Sequence, residues 1–146
     1  MKSVSNLNQL QALLKPTLLG MVDKMAERVY ETLNFFLQEY YNSYNPVYYR
    51  RTYEFLQSAV KVDAKPVGNK VVAYVYIDTN VMSNYYYGVS GEQVARWANK
   101  GLHGGKRLGH GTPKVWDYTL KYTVGNDDLL KLALDYLQSK GFNVRR

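Results

Sequence analysis

The sequence contains no cysteine and only two histidines among its 146 residues. Without cysteine there is no disulfide, no thiolate metal ligand and no cysteine nucleophile, and the composition fits a reducing compartment. No apolar run approaches the length of a membrane span, and residues 1–11 do not resemble a signal peptide. We therefore expect a soluble protein that is neither exported nor anchored in a membrane.

Candidate groups for catalysis or metal binding are also scarce. His103 and His110 are seven residues apart, which matches no standard zinc spacing, and residues 101–114 contain no carboxylate that could complete a ligand set. The glycines of this segment do not form a nucleotide-binding loop, because Lys106 is followed by Arg107 where serine or threonine is required. No serine lies in a Gly-x-Ser-x-Gly elbow. The sequence thus predicts no enzyme, no bound metal and no cofactor.

Positive charge is in excess. Nineteen lysines and arginines against 12 acidic residues give a formal net charge of +7, which favours a polyanionic partner such as DNA, RNA or an acidic protein surface. The basic residues are scattered, so the charge indicates non-specific contact and no sequence-reading motif. The candidates for DNA contact are the basic pairs Arg50, Arg51, Lys106 and Arg107.

Tyrosine is abundant, with 15 residues, and it is clustered in segments 40–53 and 85–87. A tyrosine side chain has a large apolar area and a polar tip, which suits a surface that becomes partly buried against a partner. Because such runs cannot all point into a core, we interpret them as contact surfaces. The subunit-interface candidates among them are Tyr48, Tyr49, Tyr85, Tyr86 and Tyr87.

The first half of the chain predicts helices followed by a hairpin. Asn6 and Gln9 form a capping box that opens a short amphipathic helix, and Pro16 is expected to break it. A long amphipathic helix follows, with apolar residues from Leu18 to Phe36 on one face. Residues 40–51 read as a loop. Alternating residues then predict a hairpin of two strands, Val60–Ala64 and Val71–Ile77, joined by a turn over Pro66–Asn69.

The second half predicts a short helix, a loop, a third strand and a last helix. Ser90 and Gln93 cap the short helix, which ends at Gly101. Alternation then predicts a strand over residues 116–124. Asn126 is expected to cap the last helix, which ends at Gly141 and is followed by a possible edge strand over residues 142–144. We therefore expect one α+β domain over residues 1–146, with its helices packed on a small antiparallel sheet.

The loop of residues 101–114 contains five glycines. It cannot bury enough apolar surface to offset its own ordering, so we expect it to act between subunits. The interface candidates in this loop are Leu102, His103, Gly104 and Gly105, with Leu102 as an apolar anchor.

Two segments and the order of elements together resemble a known family. The segments are Tyr48-Tyr-Arg-Arg-Thr-Tyr-Glu-Phe-Leu-Gln-Ser58, which follows the long helix, and Trp97-Ala-Asn-Lys-Gly-Leu-His-Gly-Gly105. The chain resembles the tail-completion, or head-tail connector, proteins of long-tailed bacteriophages. Arg51, Thr52, Leu56 and Ser58 stand where that family has its arginine-threonine and leucine-serine stretch.

The resemblance implies a structural virion protein of the neck, made in the host cytoplasm and assembled into a ring of six or twelve identical subunits. Such a ring joins the head connector to the tail tube around the genomic DNA and contacts neighbouring neck, adaptor or tail-tube proteins, with no membrane and no cofactor. Three alternatives stay open. The chain could be a tail terminator, a non-virion basic nucleic-acid-binding protein, or a small nuclease or toxin that uses His103 or His110.

Overall fold

The computed structural model describes residues 5–44, 53–82, 88–103, 106–107 and 112–145. In chain order the elements are helix α1 (Leu7–Asn42), strands β1 (Ala59–Val67) and β2 (Lys70–Ile77), a 3-10 turn (Thr79–Val81), helix α2 (Gly91–Asn99), strands β3 (Leu102–His103) and β4 (Lys106–Arg107), and helices α3 (Val115–Thr123) and α4 (Asp128–Ser139). The β1–β2 hairpin, α3 and α4 all pack on α1. The predicted α+β class is therefore confirmed.

Helix α1 begins where the sequence predicts and continues through the expected break. The Asn6 side chain accepts a hydrogen bond from the Gln9 N–H at 2.9 Å, and the Gln9 side chain accepts one from the Ser5 N–H at 2.9 Å. The predicted break at Pro16 is wrong, because one helix of 36 residues contains this proline. An interior proline removes one backbone hydrogen bond and costs about 3 kcal/mol, which the rest of so long a helix outweighs.

The C-terminal end of α1 forms the centre of the core. The loop predicted over residues 40–51 is wrong for residues 40–42, since α1 extends to Asn42, while residues 45–51 lie outside the described ranges. Its buried positions recur at helical spacing, and the core that they form with residues from other elements comprises Leu33, Phe36, Leu37, Tyr40, Tyr41, Phe55, Met82, Ala98 and Val115. Two tyrosines that the sequence assigned to a surface loop are therefore core residues.

The β1–β2 hairpin is fastened to α1 by a side chain. The strands pair antiparallel from Ala59 opposite Ile77 to Val67 opposite Lys70, and a two-residue turn with Gly68 at φ 59° joins them. The register shifts between Val62 and Lys65, as in a β-bulge. In this bulge the Ala64 N–H points to α1 and donates to the Asp23 carboxylate at 2.6 Å. The predicted hairpin is confirmed, with both strands longer than expected.

The predicted third strand is wrong, because residues 115–123 form helix α3. Its buried residues are Val115, Thr119 and Thr123, four apart, so they form one face against α1. Both threonine hydroxyls donate to the carbonyl four residues earlier, at 2.8 and 2.7 Å. These bonds satisfy the hydroxyls inside the core. The alternating aromatic residues that predicted a strand are distributed around the helix instead.

The remaining helix ends agree with the sequence except at the start of α4 and after its end. The Ser90 side chain accepts from the Gln93 N–H at 3.2 Å, as predicted. The predicted cap of α4 at Asn126 is wrong, because Asp127 is the N-cap residue and its side chain makes no capping bond; Asn126 instead accepts from the Asp128 N–H at 3.2 Å, one residue before the cap. Gly101 and Gly141 have φ values of 68° and 89°, as a glycine that ends a helix requires. The expected edge strand over residues 142–144 is wrong, since these residues pair with no strand.

Candidate assembly surface

The structure describes some of the residues singled out from the sequence and leaves others outside the described ranges. Outside them lie Tyr48, Tyr49, Arg50, Arg51, Tyr85, Tyr86, Tyr87, Gly104, Gly105 and His110. Lys106 and Arg107 form β4, opposite His103 and Leu102, and the Lys106 side chain is exposed.

Leu102 and His103 make contacts within their own subunit. The Tyr40 hydroxyl donates to the Leu102 carbonyl at 2.7 Å, and the His103 ring stacks on Tyr44 with the ring centroids 4.2 Å apart. The expectation that this loop makes its contacts only between subunits is therefore wrong for its first residues. The physical reason is that the buried Tyr40 needs an acceptor for its hydroxyl, and the Leu102 carbonyl supplies it.

An open groove of about 520 Å³ lies between α1, α3 and the start of α4. We call it the aromatic groove, and the residues that line it are Arg28, Glu31, Thr32, Phe35, Phe36, Tyr118, Tyr122 and Asp128. One signal for this groove is present in the sequence. Phe35 and Phe36 are adjacent on a helix, so one ring must point away from the core that receives the other.

The rings of the groove pack on Phe36, which is buried. Phe35 and Tyr118 meet it edge-on with centroids at 5.2 and 5.6 Å, and Tyr122 stacks on it at 5.6 Å. Phe35 is nevertheless 57% exposed and Tyr122 is 47% exposed. Intramolecular contacts therefore orient these rings and leave about half of their surface available to a partner.

The rim of the groove is charged. Arg28 Nη1 donates to both carboxylate oxygens of Asp128, at 2.9 and 3.0 Å. The Lys121 ammonium lies 5.4 Å from the centroid of the Tyr122 ring. Glu31 is exposed, and its carboxylate makes no hydrogen bond or ion pair with the part of the chain that the structure describes. An apolar centre inside a polar rim is the usual composition of a protein interface.

The first turns of α1 project from the body. Every residue from Leu7 to Leu13 is exposed, with Leu7 at 67%, Leu10 at 39% and Leu13 at 47%. We call residues 7–18 the N-terminal arm. The body begins near Gly20, where the Tyr136 hydroxyl of α4 occupies the space that a β-carbon at residue 20 would need.

Within the described ranges the structure offers no metal-binding cluster of three or more histidine, cysteine, aspartate or glutamate side chains. It also shows, over those residues, no helix long and apolar enough to cross a membrane. The hydrogen bond from Lys61 to Glu27, 2.8 Å long, raises the pKa of Lys61 above its ordinary value.

Comparison with known proteins gives a match to a protein family. No curated protein and no solved structure matches the chain. The YomN family profile matches residues 6–139, which is more than nine tenths of the sequence. The match includes all of α1, the hairpin, and both helices that build the aromatic groove with α1. The chain therefore belongs to the YomN family and is a phage-related protein.

Proposed function

We propose that this phage-related protein is a structural protein of the virion neck, where copies of it form a ring that joins the head connector to the tail tube around the DNA. The observation that carries the proposal is the aromatic groove, which presents Phe35 and Tyr122 half exposed on the surface of one subunit. Aromatic side chains held in this way favour burial against a partner and are typical anchors of subunit interfaces.

Burial of the exposed rings of the groove in an interface would contribute a modest free energy per contact. Complete burial of a large apolar side chain contributes about 1.5–3 kcal/mol relative to full exposure. Phe35 and Tyr122 are each about half exposed in the single subunit. Burial of the remaining half in an interface can therefore contribute roughly 1 kcal/mol for each ring. In a ring every subunit is held at two such interfaces at once, which multiplies the effect of each weak contact.

The charge of the chain agrees with a channel for DNA. A net charge of +7 on each subunit places a high positive charge around the ring. DNA that passes through a channel needs only contacts with its phosphates, which are independent of sequence. In this proposal Lys106 and Arg107, with Arg50 and Arg51, are the residues that face the DNA.

Removal of the gene from the phage tests the neck assignment directly. We expect complete heads and complete tails that fail to join, seen by electron microscopy, and the protein should be found at the neck of normal particles by immunogold labelling. Tails of irregular length would instead indicate a tail terminator. A monomer that binds DNA and is absent from purified particles would contradict the proposal and favour a free nucleic-acid-binding protein.

A further inference from the structure

We propose that the N-terminal arm of one subunit docks in the aromatic groove of the next subunit. This inference rests on the ring of the proposed function and names the contact that holds neighbouring subunits of that ring together. The arm presents leucines at positions 7, 10, 14 and 18, which recur at helical spacing and lie along one side. An amphipathic helix that places such a stripe in an apolar groove is a common mode of protein recognition.

The geometry of α1 excludes the subunit's own arm as the occupant of its groove, so the arm that docks there must come from a second copy. The arm ends at residue 18 and the groove begins at Arg28, and both belong to the same continuous helix. Ten residues of helix separate them by about 15 Å along one axis. The arm therefore cannot fold back into its own groove while α1 stays intact. When the binding site and the segment that occupies it lie on different parts of the subunit, the subunits associate head to tail. Such an assembly closes into a ring when the rotation between neighbouring subunits divides a full turn.

Charge complementarity favours the same pairing. Between Ser5 and Val22 the chain has a single charged residue, Lys15, and it follows directly after Leu14 of the stripe. On the groove, the exposed Glu31 carboxylate has no partner within the described part of its own subunit. An arm that lies in the groove can bring the Lys15 ammonium to Glu31, while a polar arm of many charges would not suit the aromatic floor.

The exposure of the arm points in the same direction. Seven consecutive helical residues, 7–13, are all exposed in the isolated subunit. A helical segment of two turns without packing partners is marginal in water. Docking in the groove supplies the missing partner for a segment with five leucines among its twelve residues, 7–18. Such an apolar composition is otherwise unfavourable on a surface.

The natural absence of cysteine permits a direct test by cross-linking. The variant Leu10→Cys with Phe35→Cys should form, on mild oxidation, a ladder of disulfide-linked oligomers on a non-reducing gel. The two positions cannot react within one chain, because 25 residues of helix separate them by about 37 Å. The single variants should give dimers at most. As the matched control, Leu10→Cys with Val67→Cys should give no ladder, although Val67 at the hairpin end is also exposed.

A mixing experiment tests the direction of the interface. An arm variant, Leu7→Gln with Leu10→Gln, keeps its groove, and a groove variant, Phe35→Gln with Tyr122→Gln, keeps its arm. Each should be monomeric alone, while their mixture has one intact contact and should give a 1:1 heterodimer and nothing larger, measured by native mass spectrometry. All four side chains are exposed, so melting curves should show that both variants fold.

The outcomes separate this inference from the proposed function. If the arm variant still forms rings of normal mass, or the mixture stays monomeric while the wild-type protein forms rings, the docking of the arm is wrong and the ring stands. If neither the wild-type protein nor the double-cysteine variant forms oligomers in solution or in purified particles, both proposals fail. A ladder together with a 1:1 heterodimer supports both.

Discussion

Replacing Asp23 by alanine should reveal how strongly the hairpin is held to α1. The Asp23 carboxylate accepts the Ala64 N–H at 2.6 Å, at the bulge where the β1–β2 register shifts. A hydrogen bond to a charged group contributes about 1.5–3 kcal/mol. Alanine is a better helix former than aspartate by about 0.5 kcal/mol, which offsets part of the loss. We therefore expect the free energy of unfolding to fall by about 1–2.5 kcal/mol.

Urea denaturation measures this change, and the melting temperature should fall by roughly 3–8 °C for a chain of this size. Asp23→Asn is the informative companion, because it keeps an oxygen acceptor and similar helix propensity, so it should lose only part of the stability. The control is Asp135→Ala, at an exposed position of α4, for which a change within about 0.5 kcal/mol is expected. If Asp23→Ala is no more destabilising than Asp135→Ala, the bulge is not what fastens the hairpin.

Three further predictions concern other parts of the fold. Gly91→Ala should lower the free energy of unfolding by about 1–3 kcal/mol in urea titrations, because the new β-carbon would meet the Thr79 carbonyl oxygen. Lys61→Gln should be less stable than wild type below pH 10.5, and the difference should vanish as the pH rises above the raised pKa of Lys61, since the charged ammonium is what Glu27 stabilises. Pro16→Ala should slow amide hydrogen exchange over residues 8–15, because it restores a backbone hydrogen bond within the helix; unchanged exchange would show that the arm does not depend on it.

Local signals in the sequence predicted the parts of the fold that depend on near neighbours. Asn6 and Ser90 each accept a backbone N–H three residues ahead, so a short window contains the whole interaction. The hairpin was predictable for the same reason, since alternation and the Gly68–Asn69 turn lie within one stretch.

Helix α3 was not predicted because the residues on its buried face do not form a clear apolar pattern at helical spacing. The buried residues are one valine and two threonines, and threonine reads as a polar strand former. Thr119 and Thr123 enter the core only because their hydroxyls find a carbonyl one turn earlier. The same error made the aromatic groove unpredictable. Tyr118 and Tyr122 can flank Phe36 together only when they lie one helical turn apart, and a strand would not place them so.

The same contact that is proposed to close the ring should leave the subunit dispersed before assembly. One arm in one groove buries a few leucines against a few aromatic rings, and each such side chain contributes about 1–2 kcal/mol. Association costs at least about 4 kcal/mol in lost translational and rotational freedom. A single contact is therefore weaker than the contacts of a closed ring. It should hold the heterodimer of the mixing experiment at high protein concentration, while open chains of subunits dissociate on dilution. Closure adds a contact without adding another free subunit, so the ring gains stability that no shorter oligomer has. A neck built on this contact would assemble as a unit, where the local concentration of subunits is high.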